Sequence, residues 1–282
     1  EYTILDQDDA RKLVADAVRM LKLTAQDFPK PKVLLGIFGS AANTERNVAN
    51  VAEERFTEVG VDVDDVVRVH REYVRRKREL DAMDFDDMLV NCLKLLKENE
   101  DVLEQYRQRF KHVLVDEYQD TNPIQADMVD LLAAGHGNVL VVGDDFQSIY
   151  SWRGADFRNI LSFPNRYPRA AQYRLETNYR SVPEILDVAN ACIRGNPEQF
   201  QKTLRPTREE YHRPTVASMR DGESQSRFVA EHIANMRREG YRYADIAVLY
   251  RAHFHSMEVQ MALAKDHIPY TLTSGTRFFE QA

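Results

Sequence analysis

The chain is 282 residues long, 43% hydrophobic and formally −7 in net charge, with two cysteines, which is material for about two domains with real cores. No apolar run approaches the roughly 20 residues needed to cross a bilayer as a helix, and the acidic opening does not read as a secretory leader. Cys92 and Cys192 lie far apart without metal-ligand spacing, which argues against a zinc site and for reduced, buried thiols in a cytoplasmic protein.

Residues 1–108 read as helical. Asp6 stands as an N-cap before a segment whose Leu13, Val14, Ala17, Val18 and Leu21 share one face. Gly36-Ile-Phe-Gly-Ser40 reads as a loop, followed by charged helical patterns near 44–59 and 63–81 and a helix over Phe85 to Leu96. No strand alternation interrupts this part. Arg68, Arg71, Arg75, Arg76, Lys77 and Arg78 crowd one helical stretch, where Glu72 and Glu79 favour a solvated face over a DNA contact.

From residue 112 the texture changes to short apolar strands at 112–115, 139–142 and 171–175 alternating with helices, the pattern of a parallel sheet with crossovers. A helix over 182–194 follows, with Ser181 and Glu184 placed as a capping box and Pro183 in its first turn. After the polar stretch from Leu204 to Pro214, strands are expected at 216–218, 246–250 and 270–273.

The most informative run is Val113-Leu-Val-Asp-Glu-Tyr-Gln-Asp-Thr-Asn122. It places Asp116 and Glu117 at the carboxyl end of a strand, where open α/β sheets bind ligands. An adjacent acid pair can divide two tasks of phosphoryl transfer, holding Mg²⁺ and orienting the attacking water. Asn122, Pro123 and Gln125 carry the signature of a capped helix start. A second strand runs into Gly143-Asp-Asp-Phe-Gln-Ser-Ile-Tyr-Ser-Trp-Arg-Gly154, and a third segment reads Leu175-Glu-Thr-Asn-Tyr-Arg-Ser181. Six arginines, at 153, 158, 166, 169, 174 and 180, recur here and are better placed for nucleic acid than the earlier cluster. That distribution matters because a net charge of −7 weighs against phosphate-backbone binding.

These three segments, with Met83-Asp-Phe-Asp-Asp-Met88 before them and Val248-Leu-Tyr-Arg251 after them, resemble in sequence and order the motifs of UvrD/Rep-type superfamily 1 DNA helicases. The resemblance implies partial RecA-like parallel-sheet domains in an α/β fold with an inserted all-helical accessory domain: accessory 1–108, the later part of the first RecA-like domain 109–178, and the start of the second 179–282. It implies ATP and Mg²⁺ as cofactors, with Asp116 and Glu117 at the metal, Gln147 sensing the γ-phosphate, Tyr179 stacking on adenine and Arg180 reaching the γ-phosphate as an arginine finger. Single-stranded DNA and duplex junctions are the implied partners. Tyr150, Trp152 and Arg153 offer stacking faces and a guanidinium, Arg251 a backbone contact, and Phe85 either a base contact or a core position.

Departures accompany the resemblance. The sequence holds no Gly-Lys-Thr or Gly-Lys-Ser phosphate loop, Phe146 stands where the family often has aspartate, His253 where it often has asparagine, and the fifth and sixth motifs are absent. These mark an internal fragment expected to hydrolyse little or no ATP by itself. The alternatives are a non-catalytic, helicase-derived binding module for single-stranded DNA or a protein, and the motor of a helicase-nuclease complex.

Overall fold

Asp6 caps the first helix as expected: its Oδ1 accepts the backbone N–H of Asp8 and of Asp9, each at 2.8 Å, a contribution of about 1 kcal/mol. The computed structural model describes residues 2–23, 28–57, 60–151 and 154–273, and the chain divides into two units, Glu1–Glu210 and Tyr211–Ala282.

In the first unit α1 (Gln7–Met20), α2 (Pro31–Asn43), α3 (Val48–Phe56) and α4 (Val63–Glu79) close around Val14, Ala17, Leu34, Phe38, Ala52, Val66 and Tyr73. The stretch Gly36–Ser40 is therefore the middle of a helix, not a loop. Leu34, Ile37, Phe38 and Ala41 are buried at helical spacing, and burying that stripe outweighs about 1 kcal/mol of propensity lost at each glycine. The helical region also contains one short ladder that periodicity did not reveal: β1 (Thr3–Ile4) pairs in parallel with β2 (Ala82–Met83), Thr3 opposite Ala82. Two-residue strands are too short to show alternation. The basic stretch on α4 is mostly a solvated face, with Arg68 on Asp65 and Arg75 on Glu72. Lys77 is the exception, at 6% exposure.

After α5 (Phe85–Glu98) and α6 (Glu100–Arg109) comes the expected parallel pair. In it β3 (Val113–Val115) lies beside β4 (Val139–Val141), Val113 opposite Val139, joined through α7 (Pro123–Ala133). Alternation of side chains sends Val115, Val139 and Val141 toward Tyr118, Ala126, Ile160 and Phe163, and leaves Leu114 71% exposed on the other face. Helix α8 (Arg158–Arg166) supplies Ile160 and Phe163 to the same core. Its Arg166 bonds Asp130 at 2.6 Å and the Tyr118 hydroxyl at 2.5 Å, a structural tie rather than the nucleic-acid contact its place in the arginine series suggested.

Residues 171–175 form no ladder. The pairing falls two residues later, between β5 (Thr177–Asn178) and β6 (Arg205–Pro206), because the Glu176 carbonyl accepts the Arg205 N–H at 2.7 Å and the Asn178 carbonyl that of Thr207 at 3.2 Å. Leu175 is left 83% exposed. The Ser181–Glu184 capping box does not form either: α9 (Pro183–Ile193) begins after Val182 with no side-chain cap. The Asn178 Oδ1 takes the N–H groups of Arg180 and Ser181 instead, at 3.0 and 2.8 Å. Cys192, on the outer side of α9, is exposed and Cys92 half-buried, so the reading of both as buried thiols is corrected.

In the second unit α10 (Gly222–Arg238) and α11 (His253–Lys265) share a core of Ala230, Ile233, Leu263 and Ile268. The strands expected at 216–218, 246–250 and 270–273 have no ladder among the described residues, and Val216 and Leu249 are 96% and 94% exposed. Apolar alternation marks a segment that can pair, while a ladder also needs a partner strand. Helices with small parallel ladders make the whole a mixed α/β architecture. Among the described residues no helix is long and apolar enough to cross a membrane.

Candidate nucleotide and nucleic-acid site

Strand β3 ends at Val115 and delivers Asp116 and Glu117 to the carboxyl edge of the ladder, both exposed. Glu117 takes a left-handed backbone, φ +50°, which a non-glycine residue adopts only where its surroundings hold it. The holding contacts are visible. Its N–H donates to the Asp116 Oδ1 at 2.9 Å, and its Oε2 accepts from the Gln119 Nε2 at 2.8 Å. The next residue, Tyr118, is fully buried and its N–H reaches the Val142 carbonyl at 3.0 Å, locking the turn to β4. Behind it Asn122 and Gln125 form the expected capping box on α7.

Gln119, 1% exposed, is the piece that pattern reading missed. Its Oε1 accepts the backbone N–H of Asp144 at 2.9 Å, so one buried amide grips the acid pair on one side and the loop after β4 on the other. That approach requires Gly143: a Cβ there would lie 2.5 Å from the Gln119 Oε1 and 2.7 Å from the Ile160 Cδ1. Beyond Gly143 the chain makes a 3-10 turn over Asp145–Gln147, and the Gln147 Nε2 donates to the Asp144 Oδ2 at 2.8 Å. Glu117 and Gln147 are thus joined through Gln119 and Asp144. Burial pushes the Asp144 carboxyl up, but hydrogen bonds from Lys202 and Gln147 outweigh it and hold the group below the usual aspartate range. Lys202 also had no signal in the sequence.

The acid pair suits Mg²⁺, which keeps several waters and takes one or two carboxylates beside substrate phosphates. Among the described residues no group of three or more acids, histidines or cysteines forms a closed cage.

Tyr179 and Arg180 follow β5, exposed, on the short ladder rather than on the β3–β4 edge. Tyr150 is 37% exposed just past the Gln147 turn; Trp152 and Arg153 lie outside the described residues. Phe85, at the first position of α5, is 59% exposed, so the core alternative for it is not realised. Asn43, which the sequence did not single out, touches three of these segments. It accepts from Asn122 at 2.8 Å, donates to Asp86 at 2.7 Å, and stands 3.0 Å from where a Cβ on Gly154, φ +85°, would fall. Arg251 is exposed in the second unit just ahead of α11.

Residues 1–168 match the UvrD/REP helicase N-terminal domain and residues 173–282 the UvrD-like helicase C-terminal domain. The chain belongs to the UvrD/REP helicase family. It is 35% identical to an ATP-dependent DNA helicase PcrA of Staphylococcus aureus, over 99% of this chain and 38% of that protein. Similar values, 35% and 33%, hold for the proteins of the same name from Leuconostoc citreum and Staphylococcus epidermidis, of which it covers 37% and 38%. The chain therefore spans well under half the length of these curated relatives.

Proposed function

We propose that this chain is part of an ATP-dependent DNA helicase that translocates 3′ to 5′ on single-stranded DNA and opens duplex junctions in repair or replication. The carrying observation is the continuous hydrogen-bonded series Glu117–Gln119–Asp144–Gln147 across the carboxyl ends of two adjacent parallel strands. Residues 1–108 then act as the inserted helical accessory domain, 109–178 as the later part of the first RecA-like domain and 179–282 as the start of the second.

In this reading Mg²⁺, when bound, screens the charge of the nucleotide phosphates. Asp116 orients toward that charge, and Glu117, pinned by Gln119, presents its carboxylate to the attacking water. Gln147 registers the terminal phosphate. Tyr179 stacks on the adenine, and Arg180 neutralises charge that builds in the transition state. Tyr150 and Trp152 stack on successive bases with Arg153 beside them, at about 1–3 kcal/mol per base; Phe85 offers a further base contact and Arg251, in the second unit, a contact to the DNA backbone. The 282 residues contain no Gly-Lys-Thr or Gly-Lys-Ser cradle, so the chain alone is expected to turn over little ATP.

The test uses the whole protein that carries this chain. Single-stranded DNA should stimulate its ATP hydrolysis, and Glu117→Gln should lower turnover about a hundredfold or more while leaving DNA binding intact. Quenching of Trp152, the single tryptophan of these 282 residues, on DNA addition tests the stacking platform when it is lost in Trp152→Phe of the whole protein. Full turnover by Glu117→Gln, or by the isolated 282 residues, overturns this assignment.

A further inference from the structure

The segment 200–208 is laced between two parts of the site that the sequence places far apart. At one end the Phe200 N–H donates to the Asp145 Oδ2 at 2.9 Å. The Lys202 ammonium bonds the Asp144 Oδ1, lies 3.4 Å from the Asp145 Oδ1 and sits 4.1 Å from the centroid of the Phe146 ring. Three consecutive residues of the turn before Gln147 thus enclose one cation, whose side chain is only 12% exposed. Phe146, the departure from the family pattern, contributes a ring face to that enclosure. At the other end the same segment holds the Arg180 ladder. The Thr203 N–H donates to the Glu176 Oε1 at 2.9 Å, residues 205–206 pair with 177–178, and the Arg208 Nη1 donates to the Arg180 carbonyl at 2.8 Å. Leu204 is fixed to α9 through both its N–H and its carbonyl by Asn190, at 3.1 and 3.0 Å.

We propose that Lys202 is a positioning residue that clamps the Gln147 turn to the ladder carrying Tyr179 and Arg180, so that a change at the sensing glutamine moves the arginine. The proposal rests on the helicase reading above and adds the part that couples two of its groups. Asp144 is the junction: one oxygen holds Lys202, the other takes Gln147, and its backbone N–H holds Gln119 and through it Glu117. A low-exposure cation between two carboxylates cannot leave without stranding both. The turn and the segment therefore move as one piece while Lys202 is in place.

Two measurements on the whole protein separate this clamp from the reading it rests on. The first is amide hydrogen exchange, which needs no turnover. Lys202→Met should lose protection at Phe200 and Gln147, whose N–H groups bond Asp145 and the Asp144 carbonyl, and Lys202→Arg should keep it. The second is DNA-stimulated ATP hydrolysis. Lys202→Met should lower kcat about tenfold or more with the KM for ATP within about twofold, Lys202→Arg should recover most of the loss, and Lys202→Met with Asp144→Asn should be no worse than the worse single variant. Unchanged exchange in Lys202→Met overturns the clamp. So does lost protection with unaltered kcat, which makes Lys202 merely structural. Wild-type protein without DNA-stimulated hydrolysis sinks the helicase reading, and the exchange result then decides the clamp by itself.

Discussion

The Asn122 Nδ2 donates to the Asn43 Oδ1 at 2.8 Å across 79 residues of sequence, tying the N-cap of α7 to the last residue of α2. The same Asn43 amide donates to the Gly39 carbonyl and to Asp86 at 2.9 and 2.7 Å. One side chain therefore connects the helix behind the acid pair with the turn presenting Phe85. Asn43→Ala leaves the 6% exposed Asn122 short of an acceptor, and should cost about 1–3 kcal/mol. Asn43→Asp should cost more at neutral pH, since it sets a second carboxylate against Asp86, which burial already pushes up. Denaturant titration of the two variants checks the order, and equal stability of Asn43→Asp and the wild type refutes it.

Gly143 sits where β4 gives way to the Gln147 turn, and a methyl group there meets Gln119, Ile160 and the Tyr118 backbone N at 2.5, 2.7 and 3.1 Å. The Gln119 amide has little freedom to retreat, because both its ends are hydrogen-bonded. Gly143→Ala is expected to destabilise by about 1–3 kcal/mol through overpacking and to lower ATP turnover in the whole protein by displacing Glu117. The two effects separate on Gln119→Ala, which makes room for the methyl group. The double variant should regain stability but not turnover, as thermal denaturation and steady-state kinetics will show.

The difference between what the sequence disclosed and what it concealed follows from the range of the forces. The caps at Asp6 and Asn122 are each specified within a few residues, β3 and β4 are each marked by their own short apolar run, and the caps and the pair form as expected. The places of Asp116 and Glu117 at the end of β3 and of Gln147 in the turn beyond β4 were legible from the apolar runs before them; their roles rest on the family resemblance. Gln119 and Asp144 lay inside the quoted runs, yet nothing local says that a glutamine amide will bury and bridge two loops. Lys202 and Asn43 lie 58 and 79 residues from their partners Asp144 and Asn122, where sequence offers no distance information. The glycines of α2 misled because their turn signal is local, whereas the burial that overrides it is tertiary.

Phe146→Ala should loosen Lys202 without removing its carboxylate partners. An ammonium over a ring face contributes about 0.5–2 kcal/mol, and the ring centroid is 4.1 Å away. The variant should lie between the wild type and Lys202→Met in amide protection at Phe200. Phe146→Asp, which installs the residue the family resemblance leads one to expect, replaces the ring by a third carboxylate and should hold the ammonium at least as firmly. Weaker protection in Phe146→Asp than in Phe146→Ala contradicts this account of the departure.

Lys77 offers a test in which pH changes the size of the effect. Its ammonium lies 2.6 Å from the Asp84 Oδ2, 2.5 Å from the Asp87 Oδ2 and 4.3 Å from the centroid of the Tyr73 ring, while the Tyr73 hydroxyl donates to Asp84 at 2.7 Å. Burial raises the Asp84 carboxyl, but the charge and hydrogen bond of Lys77 outweigh it and hold the group below its ordinary 3.8. A depressed folded value means that Asp84 contributes its full stability above 3.8 and loses it as pH falls through that lowered value. In Lys77→Met the counter-charge is gone, and burial of Asp84 is opposed only by the hydrogen bonds from the Tyr73 hydroxyl and the Asp87 N–H. The Asp84 carboxyl then rises, so the penalty is greatest at neutral pH and fades as acid protonates it. The variant should therefore lose about 3–5 kcal/mol near neutrality and recover part of it under mildly acid conditions, where the wild type gains nothing from this cluster. Denaturation midpoints of both proteins across that range measure the difference, and a gap that stays constant with pH rules out Lys77 as the group that holds the Asp84 carboxyl below its ordinary range.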